Sequence, residues 1–515
     1  FNPREQSYDA AIRADSFPLN SFLPADSLGI VDLALQARGT GFDPLLPRTR
    51  TSLRAQIDRA EFGGRDFGGI ELDAELDSQR LSGRISDRDE ALRLLLSVSG
   101  TLTEREQRIG LSGSVFGFDL AALGVSPEPI GGSFALDASA SAAGKGAYAA
   151  RIALDSIEIR NKHRTDRIRP TSVSLHTDSA ATRAEAASGD LSLTFSTPQS
   201  ADSLIAALTR SARALAGQID AQSIDMEQLK PALPDFALRV SAGPDNILNS
   251  LLKSRKIAFD ALNAEGANCD SLPVSIRLRT EGLAYGNVVL DTVTADIRQN
   301  GKRLEYALGL ANAPGNLDNI ARAGLYGHLV RNTGQANLYQ RNRAGREGFR
   351  FGLDVTWTDS LVRASVTPPD PLFGFEPWTV NRGNYLAYRF DKRVEADLDM
   401  THGDQRFAIR TTPGGGDDDD IRLDIAGLNV GPALGLFPSG PPVDGVLGAN
   451  LTLNLAADSL SLRGGVSVAE LTYDKQRFGS VDLGLFYKQD RGHLADARLT
   501  LDGAEVLTVQ GDCRE

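Results

Sequence analysis

Alternation of apolar and polar residues is the feature of this sequence that most limits its fold. One segment after another carries an apolar residue at every second position, as in Leu53–Ile57, Ile70–Leu76, Phe349–Trp357, Leu447–Leu455 and Val481–Leu485. Successive side chains of a β-strand point to opposite faces of its sheet, so each segment predicts a strand with one apolar and one polar face. The sequence therefore predicts an all-β protein.

Glycine-containing segments between the predicted strands indicate hairpin turns. Asn300-Gly301 lies between two alternating segments and is typical of a two-residue turn. We expect similar turns at Ala143–Gly146 and Arg463–Gly465, because glycine adopts positive φ at little cost. Strands that short turns connect are antiparallel neighbours, which predicts an antiparallel sheet built from consecutive hairpins.

Two segments show the periodicity of a short amphipathic helix. Residues 202–216 carry an apolar stripe that consists of Leu204, Ile205, Leu208, Ala212 and Leu215. The second candidate follows Gly243-Pro244 and has its apolar residues at Ile247, Leu248, Leu251 and Leu252. We expect both helices to pack across an end of the sheet. A helix on a membrane surface is the alternative, although neither segment is strongly basic.

A weak internal repeat divides the chain into blocks. Each copy is a short apolar helical turn, followed by a proline-containing corner and a new strand. The copies begin at Leu19, Leu120, Met226 and Val430. Such repetition is typical of a body built from neighbouring blocks, and 515 residues exceed the size of about 250–300 that one compact core reaches. We therefore expect residues 1–515 to form one continuous repetitive β-trough, as a fragment of a longer chain. The expected blocks are residues 1–124, 125–230, 231–435 and 436–515.

No residue pattern in the sequence points to catalysis, to a bound metal or to a cofactor. The histidines lack metal-type partners at close spacing and are expected to be ordinary exposed residues: His163, His176, His328, His402 and His493. The run Asp417–Asp420 is predicted to be a solvated hairpin tip, with a Ca²⁺ site as the alternative. A net charge of −12 without a basic stripe argues against nucleic-acid binding. We expect a protein that is not an enzyme.

The apolar faces of so many strands must be shielded from water. A sandwich, a closed barrel or an elongated sheet curled into a trough would each do this, and only the trough would leave a hydrophobic groove. Acyl chains suit such a groove, because burial of one CH₂ gains about 0.8 kcal/mol and a chain of about 16 carbons gains roughly 10 kcal/mol. The predicted groove residues are Phe349, Phe351, Leu353, Val355, Leu398, Leu451, Leu453, Leu455, Leu483 and Leu485.

Several sequence blocks resemble the TamB family of the AsmA-like superfamily, in its Bacteroidota type. These blocks are Phe22–Ile30, Arg65–Glu75, Gly243–Leu248, Phe375–Tyr385, Lys392–Leu398, Asp444–Leu451 and Leu471–Gln476. The similarity extends over nearly the whole chain, and none of the blocks is a catalytic signature.

The resemblance implies a β-taco with a hydrophobic interior in the periplasm of a Gram-negative bacterium. Its role would be passive transport of phospholipids between the inner and outer membranes. The resemblance also implies two attachments through regions expected outside these residues: an N-terminal helix in the inner membrane, and a C-terminal domain on an outer-membrane barrel of the TamA or BamA type.

Two other functions remain as alternatives. The chain could be a scaffold or chaperone that aids assembly or secretion of outer-membrane β-barrel proteins with a TamA- or BamA-type partner, by pairing an exposed strand edge with a client strand. It could also be an enzyme or adhesin made of tandem β-domains. That organisation predicts limited proteolysis into stable pieces of about 100–150 residues.

Overall fold

A computed structural model of the chain describes residues 2, 4–18, 28–62, 65–144, 146–162, 164–253, 255–286, 288–312, 320–367, 370–391, 393–412, 420–434, 442–456, 459–489 and 492–514. Within these ranges, all side chains are described except those of residues 28, 62, 65, 433, 455, 456, 459, 492, 493, 513 and 514. The chain divides into two compact units. Unit 1 comprises Phe1–Thr209, Pro234–Leu272 and Ala284–Gly286. Unit 2 comprises Arg210–Leu233, Pro273–Leu283 and Asn287–Glu515.

Strands dominate both units, and helices are few and mostly short. The 36 strands that the described residues form belong to one sheet, and the strand pairings are antiparallel. The prediction of an all-β antiparallel fold with a few short helices is therefore confirmed.

Unit 1 contains the first seventeen strands. They are β1 (Ser7–Pro18), β2 (Leu28–Thr40), β3 (Arg50–Phe62), β4 (Arg65–Phe67), β5 (Ile70–Asp77), β6 (Arg80–Arg88), β7 (Leu92–Leu102), β8 (Glu106–Asp119), β9 (Gly131–Ala143), β10 (Ala147–Arg160), β11 (Thr165–Ile168), β12 (Thr171–Thr177), β13 (Thr182–Ser188), β14 (Leu191–Thr197), β15 (Phe236–Ala242), β16 (Ile257–Ala258) and β17 (Ala261–Cys269). Strand β18 (Leu272–Tyr285) contributes residues to both units.

Unit 2 contains the remaining strands. They are β19 (Val288–Asn300), β20 (Arg303–Asn312), β21 (Arg322–Val330), β22 (Thr333–Arg341), β23 (Glu347–Thr358), β24 (Leu361–Val366), β25 (Leu372–Phe373), β26 (Glu376–Pro377), β27 (Thr379–Val380), β28 (Tyr385–Arg389), β29 (Val394–His402), β30 (Gln405–Thr412), β31 (Asp420–Asn429), β32 (Val443–Ala456), β33 (Ser459–Tyr473), β34 (Gln476–Gln489), β35 (Gly492–Leu501) and β36 (Ala504–Arg514).

The helices are α1 (Ala201–Asp220), α2 (Met226–Leu229), α3 (Ile247–Lys253) and α4 (Val430–Leu434), with a 3-10 helix at Lys230–Ala232 directly after α2. Helices α2 and α4 begin at two of the four predicted repeat positions. The segment 120–124 at a third position forms a turn before β9, and the copy at Leu19 lies outside the described residues. The block boundaries stay a prediction.

Most strands pair with the next strand in the chain, so the sheet grows one hairpin at a time. Asn300 pairs with Arg303, which makes Gly301 and Lys302 the two turn residues, one position later than predicted. Gly301 has the positive φ of +58° that this turn requires. Ala143 pairs with Ala147, which confirms a turn between β9 and β10.

The predicted turn at Arg463–Gly465 is wrong, because these residues lie inside β33. Gly464 stands between Leu451 of β32 and Leu485 of β34. A Cβ atom at Gly464 would lie 2.0 Å from the carbonyl oxygen of Asn450. The close approach of the neighbouring strand, and not a reversal of the chain, requires glycine at this position.

Helix α1 covers the predicted helix but does not bury the predicted stripe. Ile205, Leu208 and Leu215 are 63%, 52% and 43% exposed, whereas Ala207 and Ser211 are buried. The Ser211 hydroxyl donates to the carbonyl of Ala232 at 2.6 Å. Small side chains form the buried face because they let the helix backbone lie close to its neighbours.

Buried asparagines hold the corner around α3 in unit 1. Asn246 is 2% exposed; its Oδ1 accepts the Asn249 N–H at 2.9 Å, and its Nδ2 donates to Asp190 at 2.6 Å. Asn249 is fully buried, and its Nδ2 donates to the carbonyl of Phe259 at 2.7 Å. Leu251, which the predicted apolar stripe of this helix includes, is 55% exposed. The segment Gly243–Leu248, one of the blocks that carry the resemblance, is therefore a structural corner.

Candidate functional site

One row of small and apolar residues crosses fourteen strands of unit 1 on a single face of the sheet. The antiparallel register sets each member opposite the next one on the neighbouring strand. The members are Ala10, Ala37, Leu53, Ala74, Gly83, Val98, Leu111, Ala138, Ile152, Val173, Ala186, Leu193, Val240 and Ala264. We call the side of the sheet that carries this row the apolar face of unit 1. With strands about 4.8 Å apart, the row follows the sheet for about 60 Å.

Much of the apolar face of unit 1 is open to solvent. Ile152 and Val173 in the row are each 47% exposed, and Ile109 and Leu175 in the adjacent row are 44% and 39% exposed. Both hydrophobic clusters of buried side chains found among the described residues belong to unit 2. An exposed apolar surface of this extent is typical of a binding site for a ligand or a partner.

A comparable row crosses eight strands of unit 2 and contains three of the predicted groove residues, Leu398, Leu451 and Leu485. The whole row is Leu398, Ile409, Leu423, Leu451, Gly464, Leu485, Ala497 and Val509. We call the side of the sheet that carries it the apolar face of unit 2. Leu483 lies in an adjacent row, opposite Val466 and Leu499, and Leu453 lies opposite Ile421 and Leu462.

The four predicted groove residues of β23 point to this same face. Val355 lies opposite Ala364, and the register continues through Leu386 to Ala396, which precedes Leu398 by two residues on β29. Phe349, Phe351 and Leu353 alternate with Arg350, Gly352 and Asp354 on the strand and share the orientation of Val355. The side chain of the tenth predicted residue, Leu455, is not among those described.

The predicted residues differ in how closely they are packed. Leu398 is 4% exposed and belongs to a cluster with Val366, Trp378 and Met400, against which Phe351 and Leu353 pack. Trp378 is 2% exposed, and its ring centroid lies 6.4 Å from that of Phe373. Protein side chains therefore fill the apolar face around Trp378.

The remaining described groove residues are less closely packed. Leu451, Leu453, Leu483 and Leu485 are half-buried on the strands from β32 to β34. Their partial exposure leaves apolar surface free to contact a ligand. Whether any predicted groove residue contacts lipid stays a prediction.

Ion pairs line the opposite, polar face of unit 2. Asp399 lies between Leu398 and Met400 in the chain, so its side chain points away from the apolar face. The Arg406 guanidinium donates two hydrogen bonds to the Asp399 carboxylate at 2.9 and 2.7 Å, and Arg410 contacts the same carboxylate. These hydrogen bonds, and the charges of Arg406 and Arg410, lower the pKa of Asp399.

A buried carboxyl group interrupts the apolar face of unit 1. Asp87 is 5% exposed and lies opposite Ile70 and Leu94. Burial raises the pKa of Asp87, although its Oδ1 accepts the backbone N–H of Asp89 at 2.8 Å. The hydrogen bond identifies Asp87 as the support of the turn that leads into β7.

A cavity of about 750 Å³ in unit 2 includes polar-face side chains among its lining residues. Its lining includes Arg406, Asp424, Asn450 and Asp482. The Asn450 amide donates to Asp424 at 2.6 Å. Val466 and Leu483, which belong to the apolar face of unit 2, also line this cavity, so residues of both faces bound it.

Sequence reasoning did not assign any groove residue to unit 1. All ten predicted groove residues belong to unit 2, whereas Ile109, Ile152, Val173 and Leu175 of unit 1 are more open to solvent than the buried Leu398. Residues Tyr148–Leu154 show the same alternation as the predicted strands and lie in β10. Periodicity identifies a face, but it does not distinguish a face that other side chains cover from one that remains open.

The described residues contain no group of three or more His, Cys, Asp or Glu side chains that could hold a metal ion. His402 is half-buried, and its Nδ1 lies 2.8 Å from the carbonyl oxygen of Pro377. It was expected to be exposed, and it instead supports the cluster around Trp378, whose ring lies 6.1 Å away. His163, the His493 side chain and Asp417–Asp419 are not described. No helix among the described residues is both long and apolar enough to cross a bilayer.

No family model, no curated protein and no solved structure matches this chain.

Proposed function

We propose that the chain binds the acyl chains of phospholipids on its apolar faces and carries these lipids passively between the inner and outer membranes of a Gram-negative envelope. The observation that carries the proposal is the uninterrupted row from Ala10 to Ala264, with large side chains beside it that are about half exposed. The blocks that resemble the TamB family support the same function.

Burial energetics favour an apolar occupant. Each large aliphatic side chain that is half exposed leaves roughly 1 kcal/mol of burial free energy unused. An acyl chain on this surface would recover it and would also bury its own CH₂ groups at about 0.8 kcal/mol each. Because the row continues from strand to strand, a chain could move along it and remain in contact with apolar side chains. Net flux needs only a difference in lipid chemical potential between the two ends.

Vesicle-to-vesicle lipid transfer by the purified protein tests this proposal. Leu453→Asp places a charge on the apolar face of unit 2 and is expected to reduce transfer. Thr452→Asp is the matched control, because Thr452 is on the opposite face of the same strand, between Arg422 and Arg463. Circular dichroism must show that both variants are folded. Equal transfer by the two variants, repeated with Leu485→Asp and Gly484→Asp, would contradict the proposal.

A scaffold that aids outer-membrane protein assembly is the second candidate. Among the described residues, β36 pairs only with β35, and Val506, Leu507 and Val509 are 60%, 53% and 49% exposed. An open edge with exposed apolar residues can accept another strand by β-augmentation. Disulfide trapping between β36 and a client strand would support this candidate, whereas trapping at an interior strand such as β33 would not.

The cellular setting is part of the same proposal. We place the protein in the periplasm, anchored in the inner membrane and docked on a TamA- or BamA-type barrel, each through regions outside these residues. These placements rest on the TamB resemblance alone. Fractionation of cells that express the full-length protein, followed by crosslinking to outer-membrane barrels, tests them.

A further inference from the structure

A short segment lies across one rim of the apolar face of unit 2. Residues 221–233, here called the strap, follow α1 and contain α2 and the 3-10 helix. Met226 and Leu229 are 3% and 7% exposed and pack in one cluster with Val274 and Leu304. Leu304 lies opposite Leu329, Leu329 lies opposite Gly334, and Gly334 lies opposite Val355. Leu304 is therefore on the apolar face of unit 2. The strap therefore covers the part of the apolar face next to the hairpin turns.

The uncovered part of the face begins a few residues further along the strands. Leu308, on the same strand and face as Leu304, is 44% exposed, and Leu338 is 43% exposed. Val274 beneath the strap is 8% exposed. The strap thus explains why the apolar residues next to the hairpin turns are buried, whereas those further along the strands are open to solvent.

A small number of polar contacts hold the strap on the hairpin turns. Ile224 and Arg331 exchange two backbone hydrogen bonds of 2.9 and 2.6 Å, and the Met226 N–H donates to the Lys302 carbonyl at 3.3 Å. Arg331 Nε lies 3.5 Å from a carboxylate oxygen of Asp225, and Lys302 Nζ lies 3.1 Å from one of Glu227. A strand inside the sheet, in contrast, forms a ladder of hydrogen bonds on both sides.

Gln222 is the left-handed residue that ends α1: its N–H donates to the Ile219 carbonyl, and the Ser223 N–H donates to the Gln218 carbonyl, both at 2.9 Å. Gln222 has a φ of +48°, a left-handed conformation that costs a residue with a Cβ atom about 1 kcal/mol. Its carbonyl accepts a hydrogen bond from the indole N–H of Trp357. Because Gln222 separates the helix from the strap, a change of its φ and ψ would move the strap and leave α1 in place.

We propose that the strap is a releasable latch that closes this rim of the apolar face of unit 2. Rotation at Gln222 lifts Met226 and Leu229 away and exposes the surface around Val274 and Leu304 to an acyl chain. The inference rests on the proposed function and adds a means of regulating access to the same face. Opening breaks the contacts above, the two hydrogen bonds between Gln218 and Asp225 and the one from Ser211 to Ala232, and it exposes Met226 and Leu229. It leaves the strands of unit 2 paired, so it requires less free energy than unfolding of unit 2.

Hydrogen exchange tests the latch without any lipid. The amides of Ile224 and Met226 are expected to exchange about 100-fold faster than those of Tyr306 and Leu308 in β20. Trp357→Phe removes the hydrogen bond to Gln222 and should accelerate exchange in the strap several-fold, with β20 unchanged. Exchange of the strap at the same rate as β20 would overturn the proposal.

A disulfide lock connects the latch to lipid transfer. Ile224→Cys with Arg331→Cys, in a Cys269→Ser and Cys513→Ser background, joins a backbone-bridged pair whose expected Cα separation of about 5.5 Å suits a disulfide. The matched control is Val330→Cys with Thr333→Cys, which crosslinks the hairpin without the strap. Oxidation is expected to slow transfer by the lock variant about 10-fold, reversibly on reduction, and to leave the control unchanged.

The two experiments separate the latch from the proposed function. A lock that closes completely without slowing transfer would overturn the latch. If the unlocked protein transfers no lipid, the proposed function fails, and hydrogen exchange alone decides whether the strap opens.

Discussion

The contrast between Leu398 and Leu485 provides a quantitative test of which parts of the apolar face are filled. The two side chains share one row of unit 2, but Leu398 is 4% exposed inside the Trp378 cluster and Leu485 is half-buried. Leu398→Ala removes buried methyl groups and leaves a cavity, which costs about 3–4 kcal/mol. Leu485→Ala removes surface already half in water and leaves no closed cavity, so we expect about 1 kcal/mol.

Urea unfolding followed by tryptophan fluorescence measures this difference. Both tryptophans, Trp357 and Trp378, belong to unit 2. A Trp357→Phe background leaves Trp378 as the reporter inside the cluster. The midpoint should fall much further for Leu398→Ala than for Leu485→Ala, at an unchanged slope. Equal losses, or a loss below about 1 kcal/mol for Leu398→Ala, would refute the distinction between a filled and an open part of the face.

Three further substitutions test other parts of the account. Asn249→Ala leaves the Phe259 backbone unpaired in a buried corner and should destabilise unit 1 by about 2–4 kcal/mol, measured by hydrogen exchange in β15 and β17. Asp399→Asn should lower the free energy of unfolding at neutral pH, because the ionised Asp399 carboxylate stabilises the folded state. The wild type loses this contribution as the pH falls below about 3.9 and then through the lowered pKa of Asp399 in the folded protein. The urea midpoints of the two proteins should therefore converge in acid. Asp87→Asn should raise the free energy of unfolding, because the charged form of a carboxyl with a raised pKa destabilises the folded state. The difference in free energy between Asp87→Asn and the wild type should grow as the pH rises above about 3.9, and hydrogen exchange in β6 measures it.

The sequence was sufficient to predict the strands and their faces, because side-chain alternation has the same period as the β-strand. It was not sufficient to predict packing on those faces. Trp378 lies in the irregular segment between β26 and β27, where no alternation indicates which way the indole points. The buried face of α1 is formed by small residues, so the stripe of large apolar residues predicted the wrong face. Gly464 was wrongly predicted to lie in a turn, because glycine occurs both in turns and where neighbouring strands approach closely.

Contact between lipid chains and the apolar face of unit 1 is the most direct test of the central claim. A photoactivatable residue at position 152 would replace Ile152, which is 47% exposed on that face, and the same residue at position 151 would replace Arg151, on the other face of β10. The two proteins would be irradiated with phospholipids, and covalent adducts would be measured by mass spectrometry. The account predicts acyl-chain adducts at position 152 and few at position 151. Equal labelling at the two positions, or none at either, would contradict it.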